Sequence, residues 1–362
     1  MKKKYIIFSI VTLVLLVSFL SYSKYLKTTN VCKEDVKPTK ITKGISMNLE
    51  QTAGAGDYKT VTQSSWPTKG YKFNAELSRC ENGSTLSWDD TKKAVIMQGN
   101  VSDKCYVYFD KILTLAEYVI SQYTGTQGDN ALYYHNSTLT NGAGDNSYRY
   151  AGASDSVNNY ICLGSDATTC PEANLFRIIG VFGDQTKVIR AKSVGDKQWH
   201  TSPNNTWSSS SLNTYLNGEY LTSLGTIAEK IATTTWKVGG RSSTYLYDVP
   251  TTAYQYEVGS SASTTTYDAK IGLMYVSDYG FAADQSGWTT KLGSYGSNSS
   301  KNWLYLGSFE WTISCDSDRT YGAFSVNSAG HVDGSGVGSS IGVRPSFNLE
   351  SSVKYVSGSG SM

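Results

Sequence analysis

The residues that could carry out covalent chemistry are few, and their spacing fits none of the common catalytic arrangements. Residues 338–342 read Gly-Ser-Ser-Ile-Gly, which matches the Gly-x-Ser-x-Gly pattern of a hydrolase nucleophile. That nucleophile requires a helix after the serine and a later Asp and His, but no histidine follows residue 342. His135, His200 and His331 are scattered and belong to no His-Glu-x-x-His motif. We therefore predict no catalytic residues and no enzymatic activity.

Metal ligands are equally sparse. Asp316 and Asp318 supply two carboxylates, well short of the oxygen cage that calcium requires. No Cys-x-x-Cys pair indicates zinc. The sequence predicts no metal and no cofactor.

The cysteines are better explained as disulfides. Their number is even, which in an exported chain favours pairing, and they are Cys32, Cys80, Cys105, Cys162, Cys170 and Cys315. We predict the bonds Cys80–Cys105 and Cys162–Cys170 because each closes a loop between segments rich in turn residues. Cys315 either pairs with Cys32 or stays free.

The first 27 residues resemble a targeting or anchoring segment. Three lysines precede an uncharged run from Tyr5 to Tyr22, and 18 residues is about the minimum for a helix that spans a bilayer. A cleaved signal peptide is the alternative, with Ser21 and Ser23 as a weak cleavage site. We expect an uncleaved transmembrane helix, a single-pass cell-membrane location, and an extracellular position for the rest of the chain.

Charge and composition exclude some partners. The net charge of +2 hides five lysines in the first 27 residues, and the remainder carries 27 basic against 30 acidic side chains. A nucleic-acid-binding surface would be basic, so nucleic acid is excluded as a partner. With 12% aromatic and 17% charged residues, the chain should fold.

Turn residues divide the first part of the chain. Residues 28–44 are lysine-rich and predict a stalk, and residues 45–110 predict a small β domain. Four strands are expected there, separated by turn signals: YKFNAELSRC, STLSWDD, KAVIMQG and KCYVYFD.

Residues 111–362 mix helices with strands. Ile112, Leu115, Val119 and Tyr123 lie on one helical face, and a serine precedes a second helical stretch that is interrupted at 217–218. Strands follow without βαβ alternation, which predicts the α+β class for this domain.

The second half also resembles a known family. The stretches WSSSSLNTYLNGEY, AKIGLMYVS, WLYLG, VNSAGHV and GVRPSFNL are similar to those of an uncharacterised family of bacterial surface proteins. That family is distantly similar to the C-type-lectin-like domains of formylglycine-generating (sulfatase-modifying) enzymes. The resemblance implies a C-type-lectin-like fold over residues 111–362, preceded by the small all-β domain and the transmembrane helix.

The resemblance implies specific roles near the end of the chain. In that fold the last strand pairs with the first, with Val343, Phe347 and Leu349 facing inward. Arg344 would be a structural arginine held by Glu310, although a ligand-binding role is the alternative. The enzymes depend on a cysteine pair near this end, whereas this chain has only Cys315 there. Their activity is therefore not carried over.

An abundance of Tyr, Trp, Ser, Asn and Gly is typical of recognition loops. We predict a ligand-binding surface formed by Trp288, Trp303, Tyr305, Trp311 and Tyr321. The expected function is non-catalytic cell-surface recognition or adhesion, with a surface glycan or a protein as ligand. The alternative is a self-associating structural subunit of the cell envelope or of a surface filament.

Overall fold

The computed structural model describes residues 33–35, 44–62, 65–68, 70–165 and 167–361, with backbone only for 33–35. These residues fall into two compact units that divide between Leu113 and Thr114. The predicted anchor at 1–27, almost all of the predicted stalk and Cys32 lie outside the described residues.

The first unit consists of strands. They are β1 Lys33–Asp35, β2 Ile45–Glu50, β3 Tyr58–Val61, β4 Tyr71–Cys80, β5 Thr85–Asp89, β6 Ala94–Gln98 and β7 Cys105–Lys111. They form a four-stranded sheet in the order β3-β2-β7-β4 and a three-stranded sheet in the order β1-β6-β5. Alternate side chains of β2 and β7, among them Met47, Val107 and Phe109, form the core with Trp66. The four strands predicted in this region are confirmed as β4 to β7.

The second unit contains thirteen strands within its described residues. They are β8 Leu132–Tyr134, β9 Tyr148–Tyr150, β10 Tyr160–Cys162, β11 Leu175–Phe182, β12 Gln185–Arg190, β13 Asp196–Gln198, β14 Thr234–Lys237, β15 Thr266–Ala269, β16 Glu310–Cys315, β17 Gly322–Val326, β18 Val332–Gly336, β19 Ser340–Gly342 and β20 Ser346–Asn348. One sheet has the order β20-β12-β11-β9-β8, and β10 also pairs with β11. A second has the order β13-β19-β16-β17-β18, and β14 pairs with β15. A large apolar core lies among them, and a smaller cluster forms around Phe281 and Trp288.

Helices in this unit are short. The α-helices are α1 Leu115–Ser121, α2 Ser211–Tyr215, α3 Leu221–Ser223, α4 Ser243–Leu246, α5 Pro250–Glu257 and α6 Val276–Phe281. A π turn, Leu216–Tyr220, joins α2 to α3. The 3₁₀ turns are Asp129–Ala131, Glu172–Asn174, Trp207–Ser209, Gly225–Lys230, Gln285–Thr289 and Leu292–Lys301. The helix predicted near Ile112 begins only at Leu115, because Thr114 caps it by accepting from the backbone N–H of Glu117.

The predicted α+β class is wrong, and with it the fold class that combined a C-type-lectin-like domain with a transmembrane helix. Of the described residues, 32% are in strands and 22% in helices, so strands dominate the architecture. Gly, Ser, Asn and Thr punctuate the periodic segments and stop the helices after one or two turns. The longest α-helix within the described residues, α5, has eight residues.

The membrane prediction also has to be corrected. None of the helices in the described part of the chain is long and apolar enough to cross a membrane. The structure therefore does not support attachment through an N-terminal helix. It does not support a single-pass cell-membrane location either.

The last strand differs from expectation in its partner. Val343, Phe347 and Leu349 are buried as expected. However, β20 pairs with β12, through Val188 and Phe347, whereas β8, the first strand of the unit, lies at the opposite edge of that sheet. The expected closure between first and last strands is wrong.

Candidate functional site

Most of the predicted aromatic ligand-binding surface is buried. Trp288, Trp303 and Trp311 are each at most 1% exposed, and their indole N–H groups donate to the backbone carbonyls of Ala283, Tyr150 and Lys197. Large apolar rings with one satisfied donor are stable in a core. These three tryptophans are core residues rather than members of an exposed surface.

The other two predicted ligand-binding residues lie nearer the solvent. Tyr305 is half-buried, and its hydroxyl donates to the carbonyl of Ser328 over 2.6 Å. Tyr321 is 55% exposed. Of the five predicted aromatic residues, Tyr321 alone has a mostly exposed ring.

Arg344 and Glu310 lie together, as the structural assignment required. Arg344 Nη1 lies 3.3 Å from Glu310 Oε2, and each side chain is 1% exposed. Arg344 also donates to the carbonyls of Arg190 and Leu304. Burial raises the pKa of Glu310, and the charge of Arg344 opposes that rise. The pair therefore links β16 to the segment between β19 and β20 inside the fold.

The structure contains both predicted disulfides, Cys80–Cys105 and Cys162–Cys170. Cys315 is a buried free thiol whose Sγ lies 3.4 Å from the carbonyl of Val238. Burial raises the pKa of Cys315 to about 11, so this thiol is protonated at neutral pH and is a poor nucleophile.

The other chemically suggestive residues have structural partners. Ser340 lies in β19 rather than at a turn between a strand and a helix. Asp316 accepts from the backbone N–H of Asp318 and from Arg319 Nε. The only convergent set of metal-ligand residues in the described ranges includes the sulfurs of the Cys80–Cys105 disulfide.

A large groove in the second unit is the best candidate site. Its walls are α1, β10, the loop closed by Cys162–Cys170, the 226–230 turn and the segment 349–361. We call it the tyrosine groove, after Tyr118, Tyr150, Tyr160 and Tyr355 in its lining. Its volume of about 1380 Å³ exceeds the roughly 300–1,000 Å³ that is usual for small-ligand pockets.

The floor of the tyrosine groove is apolar and its rim is polar. Five buried side chains form part of the floor: Leu115, Leu163, Ile178, Ile227 and Leu349. Amides and hydroxyls line the rim, including Gln122, Asn130, Asn158, Ser156 and Thr168. An apolar floor with hydrogen-bonding groups around it is the usual composition of a binding site.

The lining carries little charge. Glu229, Lys230 and Lys354 are its charged side chains. Burial, together with a hydrogen bond to Tyr355, raises the pKa of Tyr118 to about 12, and burial raises the pKa of Tyr150 further. These phenols are neutral at physiological pH, so the groove offers hydrogen bonds and ring faces rather than a strong field.

The 353–361 segment of this chain forms one wall of the groove and contacts α1 and β10. The backbone N–H of Leu115 donates to the carbonyl of Val353, and that of Tyr160 donates to the carbonyl of Gly360. Between these two points, the ring of Tyr355 stacks on Tyr118 with centroids 3.6 Å apart. The 353–361 segment is thus held at both ends by backbone hydrogen bonds and in the middle by an aromatic contact.

Nothing in the sequence pointed directly to this groove. Its lining comes from six separate stretches of the chain, and no motif links them. The predicted Cys162–Cys170 disulfide was the sequence feature most closely related to the groove, since the loop that it closes forms one rim.

Comparison with known proteins adds one finding. Residues 183–351 match the model of a family described as a domain of unknown function, DUF6273. The match covers less than half of the chain and begins after β10, so it omits much of the tyrosine groove. No curated protein and no solved structure matches the chain. The resemblance to C-type-lectin-like and formylglycine-generating proteins stays a prediction.

Proposed function

We propose that residues 114–362 form a non-catalytic recognition module whose tyrosine groove binds an extended, uncharged polypeptide segment of a partner protein. The observation that carries this proposal is the 353–361 segment, which forms one wall of the groove and pairs with α1 and β10 in the way such a ligand would. We propose a non-catalytic role because the lining offers aromatic rings, amides and hydroxyls instead of an activated nucleophile.

Backbone pairing favours a polypeptide over other ligands. The N–H of Tyr160 points away from β11, toward the groove, and finds its acceptor in the carbonyl of Gly360. An extended peptide that adds to a strand edge gains affinity from main-chain hydrogen bonds of this kind. Side-chain selectivity would come from Tyr118, against which an aromatic ring packs.

The charge of the groove favours an uncharged segment. One acidic and two basic side chains in so large a lining cannot compensate a strongly charged ligand. The stretch from Tyr355 to Ser361 carries no charged side chain and fits that environment.

The 353–361 segment competes with any partner, which provides the experiment. A Cβ added at Gly360 would lie 2.3 Å from the backbone oxygen of Asn158, and φ is +75° at this position. Gly360→Ala should therefore expel the end of the segment and open the groove. Val356→Ala is the control within the same segment, since the side chain of Val356 is 90% exposed.

The probe is a fluorescent peptide with the sequence of residues 353–361, titrated with each variant and followed by anisotropy. We expect saturable binding to Gly360→Ala that is on the order of tenfold tighter than binding to the wild type or to Val356→Ala, because the peptide binds only where the 353–361 segment has been displaced. A peptide that carries alanine at its Gly360 position should not bind. A folded Gly360→Ala variant that fails to bind the peptide would overturn the proposal.

The same proteins distinguish the structural alternative. If the wild type forms oligomers in size-exclusion chromatography and Gly360→Ala disperses them, the occupant is the 353–361 segment of a second copy, exchanged between chains. That outcome would replace recognition of a partner by self-association.

A further inference from the structure

A buried lysine and a buried aspartate lie in direct contact in the core of the second unit. Lys187 in β12 places its Nζ 2.5 Å from Oδ2 of Asp278 in α6, and the two side chains are 7% and 3% exposed. The contact joins residues 91 positions apart in the sequence. Neither residue belongs to the lining of the tyrosine groove.

The surroundings of this contact are aromatic. The Nζ atom of Lys187 lies 4.7 Å from the ring centroid of Tyr275, 5.5 Å from that of Trp236 and 5.8 Å from that of Phe182. Such an environment excludes water, and water is the reagent that would hydrolyse an activated carboxyl group. Burial lowers the pKa of Lys187, with the charge of Asp278 opposing that change, and so increases the fraction of nucleophilic free amine.

Both oxygens of Asp278 face donors. Oδ2 accepts from the backbone N–H of Tyr275 over 2.9 Å, and Oδ1 lies 3.5 Å from Nη1 of Arg149. Donors placed in this way stabilise the negative charge that develops when a nucleophile attacks the carboxyl carbon. Arg149 has a partner of its own, because its Nη2 lies 2.7 Å from Asp145 Oδ2.

We propose that Lys187 and Asp278 form an intramolecular amide bond that links β12 to α6. One proton passes from the ammonium group of Lys187 to an oxygen of Asp278, the Nζ lone pair attacks Cγ, and the C–N bond forms. One C–O bond then breaks, and the hydroxyl leaves as water with one proton from Nζ. The other oxygen becomes the amide carbonyl. The atoms balance without an oxidant, a reductant or a cofactor.

The charge balance of the cluster favours the product. Desolvating an ion pair is costly even when the pair is well formed. The amide removes the charges of Lys187 and Asp278 together and leaves Arg149 paired with Asp145. The buried cluster therefore stays neutral as two of its charges disappear.

Mass spectrometry of the purified full chain, with its disulfides reduced, tests the proposal. We expect an intact mass lower than the sequence mass by one water molecule, and a proteolytic fragment that joins the peptides containing Lys187 and Asp278. Lys187→Arg should abolish the loss, since a guanidinium does not replace the amine in this reaction. The control Lys192→Arg, at an exposed lysine that pairs with Glu172, should retain it.

Two results would overturn the cross-link. One is an unmodified intact mass in the folded wild-type protein, which requires no variant to fold. The other is a water loss that maps to a succinimide at Asp333-Gly334, with Lys187 and Asp278 in separate fragments.

Discussion

Tyr118 and Tyr355 stack face to face, with ring centroids 3.6 Å apart and planes within 3° of parallel. Both hydroxyls donate to one acceptor, the carbonyl of Gly358. Tyr118 belongs to α1 and Tyr355 to the 353–361 segment, and both elements are walls of the tyrosine groove. The two rings therefore form a clasp between these walls.

Removing the Tyr118 ring should release the 353–361 segment. Tyr118→Ala loses the aromatic contact and one hydrogen bond, together worth about 1–3 kcal/mol. Tyr118→Phe keeps the stacking and should have a smaller effect. Hydrogen exchange at the Tyr160 amide, which donates to Gly360, reports release directly. Tyr321→Ala, at an exposed ring, is the control, and an unchanged Tyr160 exchange rate in Tyr118→Ala would show that the clasp does not hold the segment.

The disulfide Cys162–Cys170 should matter to the groove as well as to stability. Replacing both cysteines by serine frees a loop whose ends are eight residues apart, at an expected cost of about 2–3 kcal/mol in the free energy of unfolding. Because this loop forms one rim of the groove, affinity for the 353–361 peptide should fall in the Gly360→Ala background. The same double substitution at Cys80 and Cys105, in the other unit, should leave peptide affinity unchanged. Equal losses of affinity from the two substitutions would contradict this assignment.

Local sequence patterns predicted local structure well in the first unit. Strands β4 to β7 alternate side chains between turn signals, and each was expected near its observed position. Patterns of this kind report burial along one element. They do not report which elements pair, so the partner of β20 was wrong although the inward residues Val343, Phe347 and Leu349 were right.

The site was largely beyond prediction for a related reason. The presence of tryptophan in a sequence fits a core as well as a recognition surface. The carbonyl partners of Trp288, Trp303 and Trp311 are brought to them only by the tertiary fold. The tyrosine groove arises where α1, β10 and the 353–361 segment meet, and none of these is distinctive alone. The Glu310–Arg344 pair could be predicted from the sequence. An arginine between apolar neighbours is expected to be buried, and a buried arginine requires an acceptor.

The Glu310–Arg344 pair should be costly to break from either side. Glu310→Leu leaves a buried guanidinium without its carboxylate, and Arg344→Met leaves the converse, so each should lower the free energy of unfolding by about 3–5 kcal/mol. The double variant should be more stable than either single variant, because it removes both charges. Urea denaturation of the three proteins measures the coupling. Additive losses would show that the two side chains stabilise the fold independently.

Asp145 should determine part of the acid sensitivity of the second unit. Burial alone would raise the pKa of this carboxyl group, but the charge of Arg149 and hydrogen bonds from Ser147 outweigh it and lower the pKa to about 2 from 3.8. A lowered folded-state pKa stabilises the fold above the unfolded-state value, and this contribution disappears as pH falls from about 4 to 2. The contribution amounts to about 2 kcal/mol.

The buried residues Glu257 and Glu310 cannot cause this loss of stability at low pH. Burial raises the pKa of Glu257 and of Glu310, so protonation favours the folded state at these residues and their contribution decreases as pH rises. Asp145→Asn should therefore flatten the fall in unfolding free energy between pH 4 and 2, measured by urea denaturation at each pH. Asp155→Asn, at an exposed aspartate, should follow the wild type. If the Asp145→Asn and wild-type curves fall in parallel, the Arg149–Asp145 pair does not control acid stability.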